Sequence, residues 1–166
     1  MSIIQVVRKN PKRHDRREPV HDFLKYWRVV RYWALKKYGL TTGDLDLLLY
    51  LYSCPLFSKE DYRVFDDIMS WNKRRFDTLL RDGWIMKWRA SVNQEKALYQ
   101  VSYKTKNIIT GIYKKLLGEE HISEDRRTNP IFQNSTAGYA EKVNRRAIRH
   151  MNKEYGANAS KHSHKT

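Results

Sequence analysis

The chain has 166 residues, of which 40% are hydrophobic and 31% are charged, so it is long enough for one domain with appendages and too short for two full domains. Its 33 Lys and Arg exceed its 18 Asp and Glu, and the formal charge of +15 favours a polyanionic partner such as nucleic acid, with anionic lipid second. A single cysteine, Cys54, excludes an internal disulfide and a multi-thiolate metal site. No apolar run approaches the roughly 18 residues of a membrane span, so we expect a soluble, cytoplasmic protein.

Basic residues are concentrated near the two ends of the chain. Residues 1–18 carry six Lys and Arg against two acidic residues, and residues 126–166 carry nine against two, whereas the stretch between them is nearly balanced. Basic arms on a compact domain add sequence-independent affinity for phosphates, although such arms could equally be solvated tails. The candidate phosphate contacts of the N-terminal arm are Arg13, Arg16 and Arg17.

Two helices are predicted in the first third of the chain. Residues 21–38 place Tyr26 and Trp33 on one apolar stripe at helical spacing, and Gly39 follows as a stop. The next segment begins at Thr41 and is apolar almost all round as far as residue 54. Such a segment predicts a central, buried helix.

A helix-turn-helix is predicted next. Ser58 is followed three residues later by Asp61, a pattern typical of a capping box, in which a hydroxyl and a carboxylate satisfy free amides at a helix start. A short helix to about Asp67 follows, and Ser70 begins a second helix that ends at Gly83. Two short helices with a tight link, the second presenting basic side chains outward, are typical of this motif.

The second helix of the pair has an apolar side and a basic side. At 100° per residue, Phe76 and Leu79 face the core and the arginines face away from it. An outward arginine can bind guanine O6 and N7 in the major groove, although residues 73–75 could also be an ordinary solvated charge run. We expect Arg74, Thr78 and Arg81 to face base edges and Lys73 and Arg75 to hold the backbone. The candidate DNA contacts of this helix are Trp71, Lys73, Arg74, Arg75, Thr78 and Arg81.

A β-hairpin is predicted directly after this helix. Residues 84–90 alternate apolar and polar side chains, residues 91–96 form a polar loop, and residues 97–102 form a second strand. A hairpin in this place is a wing that can reach phosphates or the minor groove. A further helix begins at Ser102. The candidate contacts of the wing are Arg89, Asn93, Gln94 and Lys96.

This order of elements resembles the winged-helix regulators of the multiple-antibiotic-resistance regulator (MarR) type over about residues 21–118. The motif Leu79-Leu80-Arg81-Asp82-Gly83-Trp84 is similar to that family's leucine-rich approach to Lys-Arg-Gly-Leu, and Val101-Ser102-Tyr103-Lys104 is similar to its Leu-Thr-Glu-Lys. The resemblance implies duplex-DNA binding, with Arg74 in the place of a recognition-helix arginine, and a symmetric dimer formed through the first and last helices. The loop 91–96 lacks the family's Asp-x-Arg turn, and Thr105 stands where the family usually has Gly.

The remainder of the chain forms a C-terminal extension. We interpret residues 119–135 as a linker in which Pro130-Ile131-Phe132 form an apolar patch on the chain's own domain, with an anchor into a neighbouring molecule as the alternative. Residues 136–156 are predicted to form a separate basic amphipathic helix that stops at Gly156, and residues 157–166 a disordered tail. The helix could lie along a phosphate backbone, and a protein partner or an anionic membrane are the alternatives. Its small apolar side chains make the membrane the weakest of the three. Its candidate phosphate contacts are Lys142, Arg145, Arg146 and Arg149.

No P-loop, dinucleotide fingerprint or nucleophile elbow occurs in the sequence, so we expect no enzyme, no cofactor and no metal. The sequence predicts a mainly α fold with a small β-hairpin. A basic arm (1–18) precedes a winged helix-turn-helix domain (19–118), and a C-terminal amphipathic basic helix follows. Our first hypothesis is a double-stranded DNA-binding protein, a homodimeric transcription regulator or genome-organising factor that is nucleoid-associated or virus-encoded. The alternative is a structural or adaptor module that uses the winged helix for protein–protein contacts inside a virion or other nucleoprotein assembly.

Overall fold

The computed structural model describes residues 22–69 and 73–163, and over these ranges the chain is mainly helical with one two-stranded antiparallel hairpin, as predicted. The N-terminal arm with Arg13, Arg16 and Arg17, and the predicted cap Ser70, lie outside the described residues. The elements in chain order are α1 (Leu24–Tyr38), α2 (Thr42–Tyr52), α3 (Lys59–Met69), α4 (Lys73–Arg81), β1 (Ile85–Arg89), β2 (Leu98–Val101), α5 (Tyr103–Leu117), α6 (Pro130–Gln133) and α7 (Tyr139–Ser163).

The first two helices supply much of the core. α1 buries Val30 and Trp33, and Gly39 ends it with a φ of 66°, a left-handed conformation that glycine adopts without steric cost. α2 begins with a capping box: the hydroxyl of Thr41 accepts from the Asp44 amide at 3.2 Å, and the Asp44 carboxylate accepts from the Thr41 amide at 3.3 Å. The predicted central helix is confirmed, because four of its leucines are at most 1% exposed: Leu45, Leu47, Leu48 and Leu51.

The predicted capping box at the start of α3 is also present. The Asp61 amide donates to the Ser58 hydroxyl at 3.2 Å, and the Ser58 amide donates to the Asp61 carboxylate at 2.7 Å. In α4 the ring of Phe76 is buried, with its centroid 4.9 Å from the ring of Tyr62 in α3 and 4.9 Å from that of Tyr99 in β2. This aromatic cluster fixes α4 between α3 and the hairpin.

The hairpin pairs Ile85 with Val101 and Lys87 with Tyr99. At its tip Asn93 and Gln94 have φ values of 47° and 69°, and the Glu95 amide donates to the Val92 carbonyl at 2.9 Å. Two consecutive left-handed residues are typical of a type I′ turn, in which Asn is favoured first and Gly second. Gln94 occupies the glycine position, so the usual Asn-Gly signature of this turn is missing from the sequence.

Phe57, in the segment before α3, pairs with the hairpin, a contact that the sequence did not predict. The amide of Phe57 donates to the Tyr99 carbonyl at 3.0 Å, and the amide of Tyr99 donates to the Phe57 carbonyl at 2.8 Å. A single paired residue has no alternation of side chains that could be recognised in advance. The bridge joins the segment between α2 and α3 to β2, which therefore lies between β1 and Phe57.

The C-terminal third differs from the prediction of a linker followed by a separate helix. Within 119–135, Ile122, Ile131 and Phe132 are buried in the same core cluster as α1 and α5, so this segment packs on the domain. Ile131 and Phe132 belong to the patch that was expected on the chain's own domain, whereas Ile122 is an isolated apolar residue with no recognisable stripe. α7 continues through Gly156 to Ser163, although Gly156 was expected to end it and residues 157–166 were expected to be disordered. Residues 164–166 fall beyond the described ranges.

Candidate nucleic-acid interface

The solvent-facing side of α4 carries three of the predicted contact residues. Arg74, Thr78 and Arg81 are exposed, whereas Phe76 and Leu79 are buried, so the helix presents the predicted side to solvent. The Thr78 hydroxyl donates to the Arg74 carbonyl at 3.0 Å, one turn earlier in the helix, which leaves the Thr78 oxygen as an acceptor. Trp71 lies outside the described residues, and the side chain of Lys73 is not among those that the structure places.

Arg75 is directed toward α2 instead of outward. One of its terminal nitrogens donates to the Thr41 hydroxyl at 2.7 Å and pairs with the Asp44 carboxylate. Thr41 and Asp44 are the two members of the α2 capping box, so Arg75 ties α4 to the start of α2. Its predicted role in holding the phosphate backbone would require this tie to open.

Three further cations of the predicted surface pair with carboxylates. Arg81 Nε donates to Asp82 at 3.1 Å, although the Arg81 side chain remains 74% exposed. The other two pairs involve the hairpin, and they join Arg89 to Glu95 at 2.8 Å and Lys96 to Glu60 of α3. Exposed ion pairs stabilise a protein by only about 0–1 kcal/mol, so a phosphate could replace the carboxylate in each pair.

The tip of the hairpin brings two more predicted contacts to the surface. Asn93 and Gln94 are both exposed at the apex of the turn, and the Ser91 hydroxyl closes the loop by donating to the Glu95 carbonyl at 2.8 Å. The left-handed backbone at both positions closes a tight turn between the two strands. Asn93 and Gln94 therefore lie at the tip of the hairpin, farther along it than Arg89 and Lys96.

Apolar residues on the hairpin are exposed, and sequence reasoning did not single them out. The apolar–polar alternation of residues 84–90 would place Met86 and Trp88 on the covered face of β1. In the structure Ile85 is buried, whereas Met86 is 43% exposed and Trp88 is 53% exposed. The alternation failed because Trp84 and Ile85 are both buried, so the inward positions are out of phase with the apolar ones.

A second basic surface lies on α7. Lys142, Arg146, Arg149 and Lys153 are all exposed and follow one another at intervals of four, three and four residues, which places them on one side of the helix. We call these four residues the α7 basic stripe. Arg149 Nε donates to Glu124 at 3.4 Å, and the other three form no ion pair with any described side chain. The stripe therefore presents unneutralised positive charge.

Arg145 was predicted to share this side and has a different role. Its Nε donates to the Ile131 carbonyl at 2.7 Å, and its terminal nitrogen donates to the Asn134 carbonyl at 2.5 Å. Its guanidinium also lies 5.6 Å from the centroid of the Phe132 ring. Arg145 thus satisfies carbonyls at α6 and fastens α6 to α7.

A cluster of polar side chains fixes α7 against α1. Lys25 Nζ donates to the Glu154 carboxylate at 2.5 Å, the Tyr26 hydroxyl donates to the same carboxylate, and His150 Nδ1 lies 3.2 Å from the Tyr26 oxygen. Donation from Lys25 and then from Tyr26 holds the pKa of Glu154 below its usual range. Burial, followed by the adjacent Glu154, raises the pKa of Tyr26. Helix α7, which carries the α7 basic stripe, is therefore held on the domain by charged contacts as well as by packing.

No protein-family model, curated protein or solved structure matches the chain. Among the described residues, no group of three or more His, Cys, Asp or Glu side chains could hold a metal ion. None of the helices in the described ranges combines the length and the apolar composition needed to cross a bilayer.

The apolar seams on which the predicted dimer depended are covered within the chain. Trp33 of α1 and Ile109 and Ile112 of α5 are buried in the core, and α7 packs on α1. What remains open near these helices is a groove of about 300 Å³ lined by Phe23, Leu24 and others from α1, α2 and α5. The homodimer stays a prediction.

Proposed function

We propose that the chain is a winged helix-turn-helix protein that binds double-stranded DNA, with α3 and α4 as the helix-turn-helix and β1–β2 as the wing. The observation that carries this proposal is the exposed, arginine-bearing side of α4, followed at once by a hairpin that the Phe57–Tyr99 bridge holds against the domain. An α-helix fits the major groove, and a hairpin beside it can reach the backbone or the minor groove.

Each surface has a defined task in this proposal. Arg74 and Arg81 of α4 bind guanine edges, and Thr78 accepts a hydrogen bond from a base or a water. Asn93 and Gln94 at the hairpin tip contact phosphate or the minor groove. The α7 basic stripe supplies sequence-independent attraction to phosphates. The protein would act as a dimeric transcription regulator or genome-organising factor in the cytoplasm, either associated with a nucleoid or encoded by a virus.

A second candidate function is a structural or adaptor module within a virion or other nucleoprotein assembly. It is favoured by the pairing of predicted contact cations with carboxylates of the same chain, above all the Arg75–Asp44 contact that directs Arg75 away from any groove. In this candidate, the helix-turn-helix is a scaffold for protein contacts, and only the α7 basic stripe meets nucleic acid.

The test is a fluorescence-anisotropy titration of the full chain against a labelled duplex at about 0.1 M salt. Replacing both Arg74 and Arg81 with Ala should weaken binding to the preferred site by about 1–3 kcal/mol for each arginine. The matched control is Lys36→Ala with Lys37→Ala at the end of α1, which removes the same charge from another surface. Unchanged binding by the arginine variant would support the adaptor function and refute recognition through α4.

A further inference from the structure

The outer side of the hairpin displays apolar side chains that the core does not use. Ile85, Tyr99 and Val101 are buried, so the hairpin already has a covered face. Met86 and Trp88 are exposed in β1, and Val92 at the start of the loop is 55% exposed. Exposed apolar side chains of this size, close together in the sequence and on a charged surface, are typical of a binding site.

The strand pairing singles out Trp88. Lys87 lies opposite Tyr99 and Arg89 lies opposite Leu98, so Trp88 is an extra residue with no partner on β2. Such a β-bulge changes the direction of a side chain and interrupts the regular ladder. The indole is therefore placed on the surface by a specific backbone irregularity.

The charges around Trp88 favour one class of partner. Lys87 is exposed and, within the described part of the chain, forms no ion pair, and Arg89 on the other side is 42% exposed in its pair with Glu95. Exposed aromatic and apolar side chains between cations suit nucleic acid, because the cations hold phosphates while the ring stacks on a base. The hairpin also follows α4 directly, which brings Trp88 close to any duplex that α4 binds.

We propose that Trp88, supported by Met86, inserts as an apolar wedge between two base pairs of the duplex and bends the DNA. This inference rests on the proposed function and goes beyond it, because it assigns a DNA-deforming residue. Insertion unstacks one base step from the minor groove, and the bent duplex then meets more of the hairpin. Pyrimidine–purine steps kink most easily, so the wedge selects sequences at positions that no arginine of α4 touches.

The experiment measures affinity and bending together, with the full chain and a short duplex that carries a fluorescent donor and acceptor at its two ends. Binding should shorten the end-to-end distance by a kink of about 20–90°. Trp88→Ala should abolish the bend and weaken binding about 10-fold, which is about 1.4 kcal/mol. Trp88→Phe should keep both. Tyr139→Ala, at a residue of α7 that is 85% exposed, is the matched aromatic control and should change neither.

The possible failures are distinguishable. If the wild-type chain binds the duplex but leaves it straight, and Trp88→Ala binds equally well, the wedge is wrong and the proposed function stands. Failure of the wild-type chain to bind any duplex overturns both. If Trp88→Ala keeps the bend but converts a dimer to a monomer in analytical ultracentrifugation, the surface is a contact between copies of the chain. Loss of binding by Trp88→Ala supports the wedge only if this variant has the same melting temperature as Trp88→Phe. If Trp88→Ala melts at a lower temperature, the bend angle measured with Met86→Ala decides: a reduced bend supports the wedge and an unchanged bend refutes it.

Discussion

Removing the carboxylates that pair with the hairpin cations should tighten DNA binding. Glu60→Gln frees Lys96, and Glu95→Gln frees Arg89. All four side chains are at least 42% exposed, so each pair contributes only about 0–1 kcal/mol to stability and the variants should remain folded. In the proposed complex of the wild-type protein, a phosphate must displace a carboxylate before it can bind either of these cations.

The magnitude follows from counterion release. Each phosphate that a cation neutralises adds about 0.9 to the slope of log affinity against log salt. Between 1 M and about 0.1 M salt, one such contact therefore raises the binding affinity by up to about 8-fold. Glu60→Gln and Glu95→Gln should each tighten binding by up to that factor. For each bound protomer, the double variant should gain up to about 60-fold and steepen the slope of log affinity against log salt by about 1.8.

The assay is an anisotropy titration at several salt concentrations. Its control is Glu119→Gln, because Glu119 is exposed and forms no ion pair with a described side chain, so this variant changes the net charge without freeing a cation. If Glu60→Gln and Glu95→Gln bind no more tightly than Glu119→Gln, the hairpin cations do not meet DNA and the reasoning is refuted.

Four further outcomes are expected. Salt titration of the wild-type chain should give a slope near −7 if the proposed dimer neutralises roughly eight phosphates. Arg74→Ala should cost about 1–3 kcal/mol on the preferred site only, and an equal loss on every sequence would make Arg74 a backbone contact. Gly118→Ala should lower the free energy of unfolding in urea by at least about 1–3 kcal/mol, since Gly118 has a φ of 79° and an added Cβ would lie 2.8 Å from the Tyr155 ring. Gly138→Ala, whose Cβ would meet nothing within 4 Å, should stay within about 0.5 kcal/mol of the wild type, and equal losses in the two variants would contradict the argument. Donation from the Ser58 amide and hydroxyl lowers the pKa of Asp61 below its ordinary value of 3.8. The stability that Asp61 contributes is therefore present above pH 3.8 and is lost as the pH falls through the lower pKa of the folded state. Asp61→Asn should reduce this loss of unfolding free energy at acid pH in urea titrations, and an unchanged loss would show that Asp61 does not contribute.

Signals that act over a few residues were predicted correctly. The capping box of Ser58 and Asp61, the stop at Gly39 and the buried side of α4 at Phe76 all depend on spacings of four residues or fewer. At such distances the helical geometry itself determines which groups meet. The sequence therefore placed the helices before and after the turn and the side of α4 that faces solvent.

Contacts between distant parts of the chain were not predictable in this way. Arg75 and Asp44 are 31 residues apart, and Phe57 pairs with a strand that begins at residue 98. Nothing local distinguishes an arginine that faces DNA from one that faces a carboxylate of a neighbouring helix. Within 119–135, Ile131 and Phe132 were expected to pack on the domain, whereas the burial of the isolated Ile122 depends on tertiary packing that no local signal indicates.

The hairpin is attached to the rest of the domain at several places, and this has a consequence for association. The Phe57 backbone holds β2, the Phe76 ring packs on Tyr99, and the Thr105 hydroxyl donates to the Trp84 carbonyl at 2.7 Å ahead of β1. Ordering a loose segment on complex formation costs roughly 0.5–1.5 kcal/mol for each immobilised side chain. A hairpin restrained before any encounter avoids much of that entropic loss, so a partner of either kind meets a preorganised shape.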